Sequence, residues 1–239
     1  MPIMRAVILA GGKGTRLKPY TITLPKPLVP VGGELPILEI VIRQLTRAGF
    51  DHITLAVNHM ANLVMAFFGE GSRWGTRIDY SLEESALSTI GPLTLIPDLP
   101  SNFLVMNGDI LCDLDYSDFY HHHVAHQNDV TVSAYKRTAT IDFGVITYDS
   151  NNIATEFVEK PVYHFDVSMG VYCLNRSVVD QLQKGKPYGF DNLMIDGIRN
   201  GRKIEVKPFE GFWLDLGRPE DFDLANEQFE KLKSRLGLV

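Results

Sequence analysis

The first half of the chain alternates between short apolar runs and segments in which apolar residues recur with helical spacing. The run 5–9 is continuously apolar after its first residue and ends at a glycine pair, as a buried parallel strand entering a loop does. The pattern predicts strands over 5–9, 52–57, 78–82 and 103–106, and helices over 36–48, 61–68 and 116–127. This alternation predicts an α/β fold with a Rossmann-like, mixed but mainly parallel sheet and helices on both faces.

The second half changes character, because several strand patterns follow one another with little helix between them. Strands are predicted over 130–135, 144–148, 153–158 and 167–174, and helices over 191–200 and 219–236. We therefore expect a small antiparallel extension of the sheet in this half. The chain shows no internal repeat and no flexible linker, so a single domain over 1–239 is predicted.

Composition narrows the classes of partner. The chain has 239 residues, is 45% hydrophobic and 22% charged, and carries a net charge of −6. The hydrophobic and charged fractions are those of a folded protein and exclude a disordered chain. Because the net charge is negative, the chain as a whole does not attract nucleic acid or an anionic membrane, and neither is predicted as a partner. Cys112 and Cys173 form no Cys-x-x-Cys pattern, and no apolar stretch approaches the ~20 residues of a membrane span. The first residues contain no apolar signal segment, so a cytoplasmic location is expected.

A glycine-rich loop with three cations follows the first strand. Its glycines allow backbone amides to approach an oxyanion, and its lysines and arginine can donate charge-assisted hydrogen bonds to phosphoryl oxygens. A Walker A loop is excluded because Lys13 is followed by Gly14 rather than Ser or Thr. A dinucleotide fingerprint is disfavoured, since Leu17 and Asn58 stand where a small residue and a carboxylate are needed.

Histidines cluster at 121–123 and 126, on a predicted helix. Three consecutive residues of a helix point in different directions, so only His122 and His126 share a face. No carboxylate or cysteine stands at ligand spacing from them in the sequence, which favours solvated surface histidines over a metal site.

The glycine-rich loop continues from Gly11 to Val31 as a segment that resembles the signature of sugar-nucleotidyltransferases. Further short motifs of that family recur in order, at 107–109, 143–145, 159–161, 170–172 and 213–217. The resemblance covers nearly the whole chain and is nearest to the mannose-1-phosphate guanylyltransferase and glucose-1-phosphate thymidylyltransferase branches. It implies that 1–128 mainly binds the nucleotide and that 129–239 mainly binds the sugar.

This resemblance implies a reaction and a set of site residues. A nucleoside triphosphate and a sugar 1-phosphate would give a nucleotide-sugar and pyrophosphate, with Mg²⁺ or Mn²⁺ as the cofactor. The implied catalytic residues are Arg16, Lys26 and Asp109, and the implied metal ligands are Asp109 and Asp215. The implied nucleotide-binding residues are Leu9, Gly11, Gly12, Gly14, Thr15, Glu83, Thr89, Gly91 and Asn107. The implied sugar-phosphate contacts are Gly144, Glu159, Lys160 and Asn175.

Plainer interpretations stay open for the charged residues. Arg16 and Lys26 can be solvated surface charges, as most such side chains are. Asp109 can cap a turn, and Asp215 can pair with Arg218.

Substrate choice is the least constrained part of the hypothesis. Ser88 stands where the family usually has a glycine in the loop that reads the base. The continuation from Gly91 resembles guanylyltransferases, which favours GTP with a mannose- or heptose-type sugar. A dTTP-, UTP- or CTP-using enzyme and a non-catalytic subunit that senses nucleotide-sugar remain alternatives, and a homo-oligomer stays open.

Overall fold

The computed structural model of the chain describes residues 4–238. Met1 to Ile3, part of the segment in which no signal sequence is predicted, and Val239 lie outside the described residues. The strands are β1 (Arg5–Leu9), β2 (Pro30–Val31), β3 (Leu35–Pro36), β4 (His52–Val57), β5 (Arg77–Leu82), β6 (Asn102–Asn107), β7 (Ile110–Cys112), β8 (Val130–Thr140), β9 (Val145–Tyr148), β10 (Ala154–Val158), β11 (Val162–Asn175), β12 (Ile204–Phe209) and β13 (Trp213–Asp215). The α-helices are α1 (Ile37–Arg47), α2 (Ala61–Phe68), α3 (Tyr116–His126), α4 (Arg176–Asp180), α5 (Phe190–Arg199) and α6 (Pro219–Arg235). No helix within residues 4–238 is both long and apolar enough to cross a bilayer.

A seven-stranded sheet in the order β12-β8-β11-β6-β1-β4-β5 forms the centre of the described chain. The pairs β6-β1, β1-β4, β4-β5 and β8-β12 are parallel, whereas β11 runs antiparallel to both of its neighbours. The predicted mixed, mainly parallel sheet is therefore confirmed. Its strands come from both predicted halves of the chain, and the assignment of one half to the nucleotide and the other to the sugar remains a prediction.

Apolar residues cover both faces of this sheet. On one face α1, α2 and α3 pack against β1, β4 and β6. On the other face the strands pack against α4, α5 and a 3₁₀ turn at Gly91–Leu95. A third cluster joins α6 to the outer side of α1 through residues such as Ile37 and Phe229, both buried. The prediction of helices on both faces is confirmed.

The predicted antiparallel extension is also present. The far ends of β8 and β11 continue their pairing beyond the central sheet, as in the register Thr140 to Val162. The antiparallel pair β9-β10 adjoins them. Because β8 runs parallel to β6, its far end projects from the same edge of the sheet at which β6 ends.

Five strands were not predicted from the sequence, namely the two-residue strands β2 and β3 and the strands β7, β12 and β13. β12 is a half-buried edge strand whose pattern is weak. β7 and β13 have three residues each and pair with one another across 101 positions, as in Cys112 to Trp213. Strands this short carry no usable periodicity, although β7-β13 proves central to the site.

His123 on α3 provides a prediction about acid stability. Its side chain is fully buried, its Nδ1 lies 2.8 Å from Thr131 Oγ1, and burial lowers the pKa of His123 to about 4. In the unfolded chain the same imidazole has the ordinary histidine pKa of about 6.5. Between pH 4 and pH 6.5 the unfolded chain therefore binds more protons than the folded chain, and the free energy of unfolding decreases as the pH falls. We expect the free energy of unfolding to decrease by about 2 kcal/mol from pH 7 to pH 5 through this residue.

Urea unfolding of wild type and His123→Gln at both pH values tests this expectation. The difference in free energy between pH 7 and pH 5 should be smaller in His123→Gln, whereas His121→Gln, a change of an exposed histidine on the same helix, should behave as wild type. An identical pH dependence in wild type and His123→Gln would contradict the assignment of a buried neutral histidine.

Candidate active site

Two adjoining hollows open at the carboxyl edge of the central sheet, beyond the ends of β1 and β6. Their volumes are about 300 Å³ and about 430 Å³, which together suit a small-molecule site. The first hollow is lined by Leu9, Ala10, Gly12, Gly14, Thr15, Arg16, Leu17, Lys26, Pro27, Asn107, Gly108, Asp109 and Gly217. The second hollow is lined by Leu9, Gly11, Gly12, Lys13, Asn58, Glu83, Ala86, Leu87, Ser88, Thr89 and Pro92. Most of the predicted catalytic and nucleotide-binding residues therefore meet around one cleft.

The glycine-rich loop is folded tightly against the segment that carries Lys26. Gly14 has a φ of 63°, in the left-handed region, and its carbonyl accepts a hydrogen bond of 2.8 Å from Thr21 Oγ1. A Cβ on Gly14 would lie 2.9 Å from Lys26 Cβ. Only glycine both tolerates this backbone and leaves room for Lys26, so the loop and the lysine are positioned together.

Lys26 is not a solvated surface charge. It is 9% exposed, and its ammonium group forms an ion pair with the carboxylate of Asp109. Asp109 follows directly after β6 and Gly108, at the edge where open α/β sheets place their ligands. The plainer interpretation of Lys26 is therefore wrong, and the cation and the carboxylate share the first hollow.

The β7-β13 pair brings Asp215 to the same place. Asp215 pairs with Ile110, the residue after Asp109, and Leu216 N donates a 2.9 Å hydrogen bond to the Asp109 carbonyl. Burial, together with the negative charge of Asp109, raises the pKa of Asp215. Two carboxylates from different segments thus lie close together, Asp109 in the lining of the first hollow and Asp215 beside it, which is the kind of oxygen donor set that a hard divalent cation prefers.

A buried ion pair fixes the backbone at Asp215. Asp221, near the start of α6, is 5% exposed and accepts a 3.1 Å hydrogen bond from Asp215 N and one of 2.9 Å from Arg137. The Arg137 guanidinium lies 4.8 Å from the ring centroid of Trp213. Asp221 therefore acts as a positioning residue for β13. The predicted alternative partner Arg218 instead donates 2.6 and 3.0 Å hydrogen bonds to Glu220.

Gly217 marks the point at which the charged groups converge. A Cβ at this position would lie 2.8 Å from Arg16 Nη2, 2.8 Å from Asp215 Oδ1 and 2.9 Å from Lys26 Nζ. Gly217 N also donates a 2.8 Å hydrogen bond to Asp215 Oδ1. Gly217 was not predicted as a site residue, although it ends the motif that contains Asp215. Arg16, Lys26 and Asp215 thus surround one small space.

The second hollow is built on the loop after β5. Glu83 Oε2 accepts a 3.3 Å hydrogen bond from Leu87 N, burial raises the pKa of Glu83, and Glu83 Oε1 lies 3.0 Å from where a Cβ on Gly11 would stand. Ser88 in this loop has a φ of 65°. Serine here adopts the left-handed backbone that glycine supplies more easily, so the loop shape survives the substitution. Thr89 also lines this hollow.

Gly91 does not line either hollow. Its N–H donates a 2.9 Å hydrogen bond to the Tyr188 carbonyl, and a Cβ would lie 2.6 Å from the Lys186 carbonyl oxygen. Its predicted role as a nucleotide contact stays a prediction, since its amide is used within the protein and only its neighbours Thr89 and Pro92 line the second hollow. Gly91 lets the 3₁₀ turn pack closely against the 186–188 segment.

The predicted sugar contacts are brought together only in part. Gly144 and Glu159 adjoin one another, since a Cβ on Gly144 would lie 3.1 Å from Glu159 Oε2. Lys160 has a φ of 44° and forms a 2.8 Å ion pair with Asp142. All of these residues belong to the exposed extension, and none of them lines the two hollows. The extension nevertheless projects from the edge of the sheet at which the cleft opens.

Asn175 lies at the opposite edge of the sheet, which corrects its prediction as a sugar contact. It pairs with Asn102 at the start of β6, about 16 Å along the strand from the end that faces the cleft. Its side chain accepts a 3.0 Å hydrogen bond from Ser177 N and so caps α4. An asparagine before a helix is as well explained by capping as by ligand binding, and here capping is what the structure gives.

The histidine run also differs from its prediction. Glu205 on β12 joins His122 and His126, and the ligand-type atoms of all three lie within 4.8 Å of one another. The sequence offered no carboxylate at ligand spacing because Glu205 is 79 positions beyond His126 and lies on a strand that was not predicted. The expectation of merely solvated histidines is therefore wrong.

Comparison with known proteins decides the family. The family model for nucleotidyl transferases matches residues 5–231. The chain belongs to the nucleotidyl transferase family. This assignment explains why the cleft combines a glycine-rich loop, the buried Lys26, the exposed Arg16 and a pair of carboxylates.

Two relatives within this family are mannose-1-phosphate guanylyltransferases by name. The chain is 34% identical to the mannose-1-phosphate guanyltransferase of Schizosaccharomyces pombe, over 92% of this chain and 62% of that protein. It is 34% identical to the mannose-1-phosphate guanylyltransferase catalytic subunit beta of Dictyostelium discoideum, over 99% of this chain and 70% of that protein. The chain thus spans less than the full length of either relative.

A solved structure in the same fold is that of HddC from Yersinia pseudotuberculosis complexed with GMP-PN. The two structures superpose with a TM-score of 0.72 and 25% sequence identity, over 95% of this chain and 100% of that one. The two proteins therefore share their fold over 95% of this chain.

Proposed function

We propose that the chain transfers a guanylyl group from GTP to a sugar 1-phosphate, giving a GDP-sugar and pyrophosphate. The observation that carries this proposal is that Arg16, Lys26 and Asp109 line the first hollow and that Asp215 lies next to them, beside Gly217. Family membership and the guanylyltransferase names of the relatives support the same class of reaction.

The chemistry needs no covalent intermediate with the protein. A phosphate oxygen of the sugar 1-phosphate attacks the α-phosphorus of GTP, a new P–O bond forms, and the bond from the α-phosphorus to the bridging oxygen of the β-phosphate breaks. The leaving pyrophosphate keeps the electron pair, so no proton need move. Catalysis then depends on position and charge: Arg16 and Lys26 offset the negative charge of the reacting phosphates, and the amides of the glycine-rich loop donate to their oxygens.

A divalent cation, Mg²⁺ or Mn²⁺, fits the carboxylates of Asp109 and Asp215. Their donor set consists of oxygens alone, and the pKa of Asp215 is raised first by burial and then by the negative charge of Asp109, an effect that a bound cation would offset. When bound, such an ion supplies positive charge to phosphate oxygens. Lys26 pairs with the Asp109 carboxylate, so this lysine and the proposed ion would act on the same group.

Glu83 supports guanine as the base in the second hollow. An ionised carboxylate only accepts hydrogen bonds, and it has two oxygens with which to do so. Guanine offers two adjacent donors on its pairing edge, whereas uracil and thymine place carbonyl oxygens on both sides of a single N–H. GTP therefore suits Glu83 better than UTP or dTTP. The complex of HddC with GMP-PN agrees with a guanine nucleotide in this fold.

We propose a mannose-type sugar, and the heptose type remains the second choice. The support is the naming of the relatives as mannose-1-phosphate guanylyltransferases. The extension that carries Gly144, Glu159 and Lys160 is proposed to cover the sugar, because it projects from the cleft edge. Asn175 is removed from this set on account of its position at the opposite edge.

The alternative that the chain is a non-catalytic sensor of nucleotide-sugar is no longer favoured by any observation. That alternative rested on Ser88, yet Ser88 adopts the backbone expected of glycine at that position. A sensor would also not need both carboxylates and both cations beside one hollow.

A pyrophosphate-release assay with Mg²⁺ tests the proposal directly. The four reactions to compare use GTP, UTP, dTTP or CTP with mannose 1-phosphate, and each is repeated with glucose 1-phosphate. We expect release to be fastest with GTP and mannose 1-phosphate, and to stop when EDTA is added. In Glu83→Gln the preference for GTP over UTP should shrink. No release with any pair would overturn catalysis, and a preference for another triphosphate would overturn only the choice of base.

The cytoplasm is the proposed location, and its support is chemical. Cys112 and Cys173 are both free and fully buried, as suits a reducing compartment.

A further inference from the structure

The cluster formed by His122, His126 and Glu205 ties α3 to the edge strand β12. His122 Nε2 lies 3.0 Å from Glu205 Oε1, and His126 Nδ1 lies 3.0 Å from Glu205 Oε2. The two imidazole rings are one helical turn apart, with centroids 3.9 Å from one another. Each histidine thus directs one ring nitrogen towards the same carboxylate.

The spacing of these atoms suits a tetrahedral cation. Ligand nitrogens and oxygens about 2.0–2.1 Å from a zinc ion are about 3.3 Å apart at the corners of a tetrahedron. Measured to the single oxygen Glu205 Oε1, His122 Nε2 lies at 3.0 Å and His126 Nδ1 at 3.3 Å, so these nitrogen–oxygen distances are already close to that separation. Two imidazoles and one carboxylate are also the three-ligand set that leaves one tetrahedral position for water.

The carboxylate is held by a neighbour, as ligands in metal sites usually are. Asn128, which is buried, donates a hydrogen bond to Glu205 Oε2 from its side-chain amide and another of 3.0 Å to Thr131 Oγ1. This support orients Glu205 before any ion binds. The nearby Lys207 is paired with Asp118, so its charge is already compensated.

The position of the cluster separates it from the cleft. It lies beside the start of β12, which pairs with the start of β8, and β8 runs parallel to β6. The starts of these strands form the edge opposite to the one at which Asp109 and Asp215 lie. An ion here would therefore stabilise the contact between α3 and the sheet edge and would not act in the reaction.

We propose that His122, His126 and Glu205 form a second, structural metal site that binds Zn²⁺ or a similar borderline divalent cation. Nitrogen ligands select such ions over Mg²⁺, which prefers oxygen ligands alone. The proposed site therefore differs in both position and ion preference from the carboxylate pair in the cleft.

Titration calorimetry with Zn²⁺ tests this site in the full chain, without a histidine tag and with excess Mg²⁺ to occupy oxygen-only sites. We expect one Zn²⁺ per chain in wild type. His126→Ala and Glu205→Gln should each weaken the binding by at least about 10- to 100-fold, the loss seen even for groups that only support ligands. His121→Ala is the matched control and should bind as wild type, since His121 Nδ1 lies 2.7 Å from the Ser117 carbonyl and outside the cluster.

Thermal unfolding gives a second measurement. At Zn²⁺ a hundredfold above its dissociation constant, the midpoint of wild type should rise by about 5–10 °C, and that of His126→Ala should not change. Pyrophosphate release by His126→Ala, if the chain has that activity, should equal that of wild type. Failure of wild type to bind Zn²⁺, or equal binding by wild type, His126→Ala and Glu205→Gln, would overturn the proposal whatever the outcome for catalysis.

Discussion

Asp215→Asn should reduce turnover by about 10²- to 10³-fold while the protein remains folded, because it removes one of two carboxylates that would hold the divalent cation. Asparagine keeps the size of the side chain and an oxygen that can accept the 2.8 Å hydrogen bond from Gly217 N. The charge is therefore what the substitution tests. Steady-state pyrophosphate release, measured over a range of Mg²⁺ concentrations, provides the readout.

Asp215→Asn should not lower the unfolding midpoint and can raise it. The raised pKa of Asp215 means that ionisation of this carboxyl is unfavourable in the folded chain, chiefly through burial and then through the negative charge of Asp109. Removal of that charge relieves the repulsion between two carboxylates. The charge of Asp215 thus lowers the stability of the folded chain, which is the trade-off expected where a charge serves binding and catalysis.

Asp109→Asn should cause a similar loss of turnover but behave differently in stability. Lys26 is buried and pairs with Asp109, so the substitution leaves an ammonium group without its carboxylate partner. We expect a lowered midpoint for Asp109→Asn and an unchanged or raised one for Asp215→Asn. Asp223→Asn, an exposed aspartate on α6, is the control and should match wild type in both measurements. Near wild-type turnover in both cleft variants would rule out the proposed metal ligands.

The strong sequence patterns predicted the fold and much of the site. Continuous apolar runs identified the buried strands, such as β1 and β6, and the order of motifs identified the loop that carries Arg16 and Lys26. The ends of parallel strands meet at one edge, so a carboxylate after β6 and a glycine loop after β1 were bound to lie near each other. The positions of these segments depend on local pattern and topology, whereas the roles of Arg16 and Lys26 are what the family resemblance implies.

What could not be predicted depends on pairings between distant segments. Asp215 reaches Asp109 through β7 and β13, which are too short to show periodicity. Glu205 reaches the histidines through an edge strand with a weak pattern. For Asn175 the error is the reverse, since a residue was assigned to the site and lies outside it. It stands at the end of β11, and because β11 runs antiparallel to β6, that end lies at the edge of the sheet opposite to the cleft. Strand direction, which the sequence left open, decides where such a residue lies.

Gly217→Ala should reduce turnover by about 10²-fold, the size of effect expected when catalytic groups move by about 1 Å. The added methyl group would lie 2.8–2.9 Å from Arg16 Nη2, Lys26 Nζ and Asp215 Oδ1, and these flexible side-chain ends would have to move. The backbone of Gly217 does not lie in the left-handed region, so alanine itself is not strained there. We therefore expect a correctly folded variant with misplaced charges.

A double-mutant cycle with Lys26→Met separates this mechanism from a general disturbance of the cleft. If the methyl group acts by displacing Lys26, Gly217→Ala should do less damage in a protein that already lacks the ammonium group. The loss of turnover in the double variant should then be smaller than the product of the losses in the two single variants. Pyrophosphate release by wild type, both single variants and the double variant gives the four rates. The mechanism would be contradicted if the two losses multiplied in full or if Gly217→Ala had wild-type turnover. Either result would show that the position of Lys26 does not depend on the space that glycine leaves at 217.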